Sequence, residues 1–150
     1  MKVLPGFLDA REVAELVALG TASGWTAGRQ GTGYDKLELR TVLPADPGSL
    51  IARALAHVGT PFGDFWDVYL IRYLAGSHIP PHTDPAQHGR RHHRLNAMLV
   101  PADGGGELRV DGVPVELATG DAIVFAPDRE VHEVSPVVGS RLLFSVGAWV

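Results

Sequence analysis

Three side chains in the second half of the chain could converge on one metal ion. His82-Thr83-Asp84 sets an imidazole and a carboxylate two residues apart, and in extended backbone positions i and i+2 project from the same side. His132, just past a turn containing Pro127 and Asp128, offers a third donor. Two imidazoles and one carboxylate on one face of an octahedral ion leave three positions open, the arrangement by which non-haem iron sites take a chelating cosubstrate and O2. Taken alone, the triplet also fits an Asx-type turn carrying a surface histidine.

A second group of residues bears on the same chemistry. Arg141 stands nine residues after His132 and opens RLLFSVGAWV, which reads as a strand. Arg141, Leu143, Ser145, Gly147 and Trp149 then share one face. An inward arginine needs an anion, because a desolvated charge must be paired. A dicarboxylate cosubstrate would supply one, in the two-pronged geometry that guanidinium favours. The other reading is a rim arginine, or an ion pair with one of the chain's 17 acids. Ser145 could add a hydroxyl, and Tyr73, on the inner face of strand 66–75 with Tyr69 and Ile71, a phenol. Asn96 either holds the carboxylate that chelates the metal or bonds backbone near a strand end.

Arg90, Arg91, His92, His93 and Arg94 form a basic run within 85–94. With the polar, glycine-rich loop 26–36 it is the expected substrate-facing material. Arg90, Arg91 and Arg94 would then meet a carboxylate- or phosphate-bearing small molecule; the other reading is a solvated charged loop.

These residues need elements to carry them. Asp9, with Glu12 three residues on, has the spacing of a capping box before the stripe Val13, Leu16, Val17, and Gly20 would end that helix. A second helix is expected after Asp46 with Pro47 at its first position, stopped by Gly59 and Pro61. From residue 66 the period becomes two. Strands are expected at 66–75, 94–100, 107–110, 113–117, 121–125 and 141–150, with Asp111-Gly112 as a hairpin turn. The expected fold is mainly β, a double-stranded β-helix or jelly roll over about 66–150. Two helices in about 1–60 would cover one sheet, all within one domain.

Composition narrows the function. A net charge of −4 speaks against a nucleic-acid partner. The absence of cysteine excludes disulfides, thiolate metal sites and a cysteine nucleophile. No apolar run reaches the roughly 18 residues a membrane span needs, and MKVLPGFLDAREV does not read as a secretory signal. A cytoplasmic setting is expected.

Taken together, the span from about Trp66 to Trp149 resembles the Fe(II)/2-oxoglutarate dioxygenases, particularly the prolyl 4-hydroxylase-like branch. The stretches that carry the likeness are YLIRYLAGSHIPPHTD, LVPADGGGELRV, ATGDAIVFAPDREVHEVSPV and GSRLLFSVGAW. VLPGFLDAREVAELV is similar to the start of such domains. The resemblance implies that His82, Asp84 and His132 bind Fe(II), and that Arg141 pairs with the distal carboxylate of 2-oxoglutarate with Tyr73 as a second contact. Gly105-Gly106-Glu107-Leu108 matches the family's glycine-rich turn into a strand.

Two features depart from the family pattern. Collagen-type prolyl hydroxylases usually carry lysine where Arg141 stands, and many other members place serine two residues after the arginine. Here position 143 is leucine and Ser145 lies one strand period further. The intact Asp84 sets the chain apart from the halogenating relatives. The implied reaction couples oxidative decarboxylation of 2-oxoglutarate, with O2, to hydroxylation of an unactivated C–H bond. The short chain favours a small molecule such as an amino acid or a specialised metabolite. The alternatives are a peptidyl prolyl hydroxylase, a cupin-like metal-dependent isomerase and a ligand-binding jelly roll.

Overall fold

The computed structural model describes residues 1–59 and 64–150. The element order is β1 (Lys2–Leu4), α1 (Ala10–Leu19), β2 (Thr26–Ala27), β3 (Tyr34–Glu38), α2 (Leu50–Val58), β4 (Trp66–Tyr73) and β5 (Ile79–His82). It continues with β6 (His92–Val100), β7 (Gly104–Gly105), β8 (Leu108–Val110), β9 (Val113–Val115), β10 (Ala122–Phe125), β11 (His132–Val134), β12 (Val137–Val138) and β13 (Arg141–Trp149).

Both helices begin where a side chain satisfies their free N–H groups. At α1 the capping box forms: the Glu12 N–H donates to Asp9 at 2.8 Å and the Asp9 N–H donates to Glu12 at 3.1 Å. The second helix starts later than Asp46-Pro47 suggests. Gly48 has φ +82°, which no helix can contain, so Ser49 becomes the cap and accepts from the Ala52 N–H at 3.1 Å. Gly59, at φ +94°, follows its last turn; Pro61, the other half of the expected stop, lies outside the described residues.

Two sheets face each other as a jelly roll. The larger runs β1-β10-β6-β13-β4-β3-β2 and the smaller β5-β11-β8-β9. Strand alternation splits the apolar residues into two cores. Val68, Leu70, Leu95, Ala97, Leu99, Phe144, Val146 and Ala148 point outward from the large sheet and bury against Leu16, Ile51, Ala54 and Val58 of the helices. Residues of opposite parity, including Tyr73, Met98, Ile123, Phe125 and Leu143, point inward toward Leu108, Val110, Val115 and Val134. The site lies on this inner side.

The N-terminal third is more than a helical cover. β1 pairs with β10 at one edge of the large sheet, and β3 pairs with β4 and carries β2 at the other. The segment Ile79–His82 is a further strand, paired with β11, although two of its four residues are proline. It tolerates Pro80 and Pro81 because it is an edge strand, as is β9 with Pro114. Asp111 and Gly112 take φ +50° and +77°, the left-handed pair a two-residue hairpin requires, and set Val110 opposite Val113. Among the described residues no helix is long and apolar enough to cross a membrane.

Candidate active site

The pairing of β5 with β11 brings two histidines side by side. His82 and His132 are register partners with ring centroids 4.2 Å apart. Asp84 leaves β5 and is anchored by its N–H donating to the Pro127 carbonyl at 2.7 Å. Donor atoms of His82, Asp84 and His132 all lie within 4.8 Å of one another. Nδ1 of His82 sits 2.8 Å from the Pro80 carbonyl, and Nδ1 of His132 sits 3.1 Å from that of Glu130. A carbonyl only accepts, so each Nδ1 carries the proton and each neutral ring presents Nε2 as the lone-pair donor. Burial holds His132 below its usual pKa. Burial alone would raise Asp84, but the positive charge around it, Arg29 and Arg94 included, holds it below its usual value. The set offers two nitrogens and one oxygen to a divalent cation, the donor chemistry of a non-haem iron site.

A roof over these groups comes from the loop before β3. Arg29 donates to Asp84, and the Gln30 amide lies 2.7 Å from Nε2 of His82. The Tyr34 hydroxyl donates to the Gln30 carbonyl oxygen, which orients the amide with its NH2 toward the histidine. Tyr34 in turn stacks on Tyr73, with centroids 5.7 Å apart.

Arg141 lies at one end of the floor. It opens β13 opposite Tyr73 in register, and its guanidinium stands 4.8 Å over the Tyr73 ring. Only 2% of the residue is exposed, and Nε and Nη1 are buried with no hydrogen-bond partner. Burial lowers its pKa, yet a guanidinium does not lose its proton in a protein. This is a desolvated cation whose Nε–H and Nη1–H groups are left for an anionic partner. Burial also raises Tyr73, so its phenol stays protonated.

The other end of the floor is already paired. Arg94 on β6 donates through Nη2 to both Asp67 oxygens at 2.9 and 3.0 Å, and through Nη1 to Ser145 at 2.8 Å. Ser145 donates onward to Asn96 at 2.7 Å. Ser145 therefore does not assist Arg141: four residues along a strand separate them by about 13 Å, and its hydroxyl is engaged elsewhere. Asn96 lines the cleft, with its NH2 left to donate to a ligand. Gly147 makes room for the ion pair. A Cβ there would fall 2.7 Å from both Cζ of Arg94 and Oδ1 of Asp67, closer than side-chain atoms approach. Beside them His92 lies flat on Trp149, with centroids 4.4 Å apart, and burial with the nearby Arg94 pushes it down to about 4.

The basic run is split by the start of β6. From His92 onward alternation points His92, Arg94 and Asn96 into the cleft. Arg90 and Arg91 precede the strand and do not line it. Arg91 is exposed and faces Asp128 at 3.6 Å, while Arg90 lies 5.5 Å from the Phe65 ring. Sequence reasoning placed loop 26–36 near the site but did not single out Arg29, Gln30, Tyr34 or Lys36, nor Asp67. Asp67 was within reach, since Asp67, Tyr69, Ile71 and Tyr73 have one parity. The contacts of Arg29 and Gln30 span 55 and 52 residues and leave no local signal.

Comparison with known proteins agrees with this geometry. A model described as the 2OG-Fe(II) oxygenase superfamily matches residues 68–150, more than half of the chain. No curated protein matches at a significant level. Among solved structures, a prolyl-4-hydroxylase from Pseudomonas putida is 23% identical with a TM-score of 0.72, over 99% of this chain and 90% of that one. A Trichoplax adhaerens prolyl hydroxylase, solved with a peptide fragment of hypoxia inducible factor, is 17% identical with a TM-score of 0.69, over 99% and 81%. The epimerase SnoN, solved with Fe3+, alpha ketoglutarate and nogalamycin RO, is 21% identical with a TM-score of 0.69, over 97% and 77%. These likenesses establish the jelly-roll fold. Since the family match covers both strands that bear the histidines and the strand that bears Arg141, the chain belongs to the 2OG-Fe(II) oxygenase superfamily and is an enzyme that works with iron and 2-oxoglutarate.

Proposed function

We propose that this oxygenase hydroxylates an unactivated C–H bond in a small molecule such as an amino acid or a specialised metabolite. In this reading His82, Asp84 and His132 hold Fe(II), and Arg141 holds the distal carboxylate of 2-oxoglutarate. The observation that carries it is Arg141: a buried guanidinium with two unpartnered nitrogens, lining the same cleft as the three donors on the facing sheet. A cupin-like isomerase or a simple binding jelly roll leaves that cation without a purpose. Bound iron and 2-oxoglutarate supply the oxidising chemistry, in which decarboxylation of the cosubstrate accompanies transfer of oxygen to the substrate carbon.

The chain's own residues do the rest. Carbonyls of Pro80 and Glu130 fix the tautomer of both histidines. Asp84 stays ionised, and His132 stays neutral, as metal ligands must be. Tyr73 covers the Arg141 guanidinium and offers a phenolic donor. Ile71, Leu143 and Leu108 line the cleft that holds Arg141 and the donors, apolar surface that would keep water from the cosubstrate. Asn96 offers an amide NH2 from the floor.

The cleft has a volume of about 170 Å³, on the scale of a cavity that holds one small molecule. A peptidyl proline is the second reading, favoured by the fold shared with prolyl hydroxylases. Anaerobic addition of Fe(II) and 2-oxoglutarate should produce a weak visible charge-transfer band, and metabolites and proline peptides should then be compared for stimulated succinate release. Absence of the band removes the cosubstrate reading; stimulation by peptides alone selects the second one.

A further inference from the structure

We infer that the substrate of this oxygenase carries a carboxylate or phosphate group, and that Lys36 on β3 is the residue that receives it. The inference deepens the proposed function and rests on its assignment of Arg141 to the cosubstrate. Lys36 has the parity of Tyr34 and lines the cleft. Its ammonium stands 4.7 Å over the Tyr69 ring. Among the described residues it has no carboxylate partner, whereas Arg94 has Asp67 and Arg29 has Asp84. Lys36 is therefore a half-buried cation with no ion-pair partner of its own, on which Asp67 and Asp84 act only from a distance.

Charge and reach exclude the cosubstrate as that counter-ion. The cleft presents Arg29, Lys36, Arg94 and Arg141 against Asp67 and Asp84. Four positive and two negative groups leave +2 with the histidines neutral. A divalent ion and a dianionic cosubstrate add nothing to that sum, so an excess of two positive charges faces whatever enters next. A five-carbon dicarboxylate built from bonds of about 1.5 Å is at most about 9 Å long. Anchored at Arg141, beside Tyr73, it does not extend to Tyr69, four residues or about 13 Å along β4. Burial and the Arg94 charge both lower the Lys36 pKa, a strain that an incoming anion relieves. A cleft with one sign of excess charge also concentrates ligands of the opposite sign.

The test uses protein loaded with Mn(II) in place of iron, and with saturating 2-oxoglutarate. Sulfate and acetate serve as probes in calorimetric titrations of wild type, Lys36→Met and Lys36→Arg. Wild type should bind at least one probe, Lys36→Met at least tenfold more weakly, and Lys36→Arg within about threefold, since charge is kept. The better probe separates a tetrahedral dianion from a carboxylate. Binding of neither probe to wild type, or equal binding to wild type and Lys36→Met, overturns the inference. Carboxylic acids and their primary amides should also be compared for stimulated succinate release; equal stimulation by the amides overturns it as well. Failure of 2-oxoglutarate to bind wild type would refute the Arg141 assignment instead. In that event the same Lys36 comparison, made in an Arg141→Ala background, still decides whether Lys36 receives an anion.

Discussion

Replacing Arg141 by alanine tests the cosubstrate pocket at its base. The guanidinium is 2% exposed, and two of its nitrogens have no protein partner. A carboxylate that reaches it leaves water entirely, so in Arg141→Ala that carboxylate would be desolvated and unpaired. Removing one partner of such a charged hydrogen-bonded pair costs about 2–5 kcal/mol. With about 1.4 kcal/mol per tenfold, 2-oxoglutarate should bind from roughly thirtyfold to some thousandfold more weakly. Arg141→Lys should lose less, because the charge stays and only the fork goes. A second readout needs no turnover. Without 2-oxoglutarate, Arg141→Met should be at least as stable as wild type, because exchanging a buried unpaired cation for an apolar side chain removes its desolvation cost. Cosubstrate at a hundred times its Kd should stabilise wild type by about 2.7 kcal/mol and Arg141→Met by much less. Both quantities are measured under argon, by titration of the Fe(II) protein and by urea unfolding. Equal 2-oxoglutarate affinity in wild type and Arg141→Ala would refute the reasoning.

The other predictions concern the triad, the floor and the rim. Alanine at His82, Asp84 or His132 should abolish stoichiometric Fe(II) binding in equilibrium dialysis while the circular dichroism stays native, since the two histidines lie at strand ends, Asp84 lies just past one, and none belongs to the two apolar cores. Gly147→Ala should destabilise the protein by about 1–3 kcal/mol in urea unfolding, as overpacking does, because its methyl collides with the Arg94–Asp67 pair; an unchanged midpoint would contradict the geometry. His92 gives a pH signature. Its pKa falls from the ordinary 6.5 to about 4 in the folded state, so between those values the unfolded chain binds the extra proton. Stability should therefore fall as pH drops from 6.5 toward 4, by up to about 3 kcal/mol from this residue. His92→Phe, which keeps a ring on Trp149, should flatten that part of the profile, and an unaltered slope would refute it.

Much of the site is written in local sequence. His82-x-Asp84 lies on one side of an extended chain whatever surrounds it, because side chains alternate along extended backbone. The same parity brings Arg141 inward with Leu143, and the reciprocal bonds of Asp9 and Glu12 need only one turn of helix. The Asp111-Gly112 turn likewise follows from two residues that accept left-handed φ. What tertiary structure decided are relations between distant segments. The prolines of β5 became acceptable only once the strand lay at a sheet edge, and pairing there set His82 against His132. The glycine-rich loop became a roof only because β3 joined the edge of β4 and carried Arg29 and Gln30 across the donors. Arg94 left a run of surface charges because β6 begins at His92, and Asp67 and the bare backbone of Gly147 gave its guanidinium a partner and a place. Parity along a strand is a local property of the backbone, whereas which strand lies beside it, and which charge meets its partner there, depends on sheet order across the whole chain.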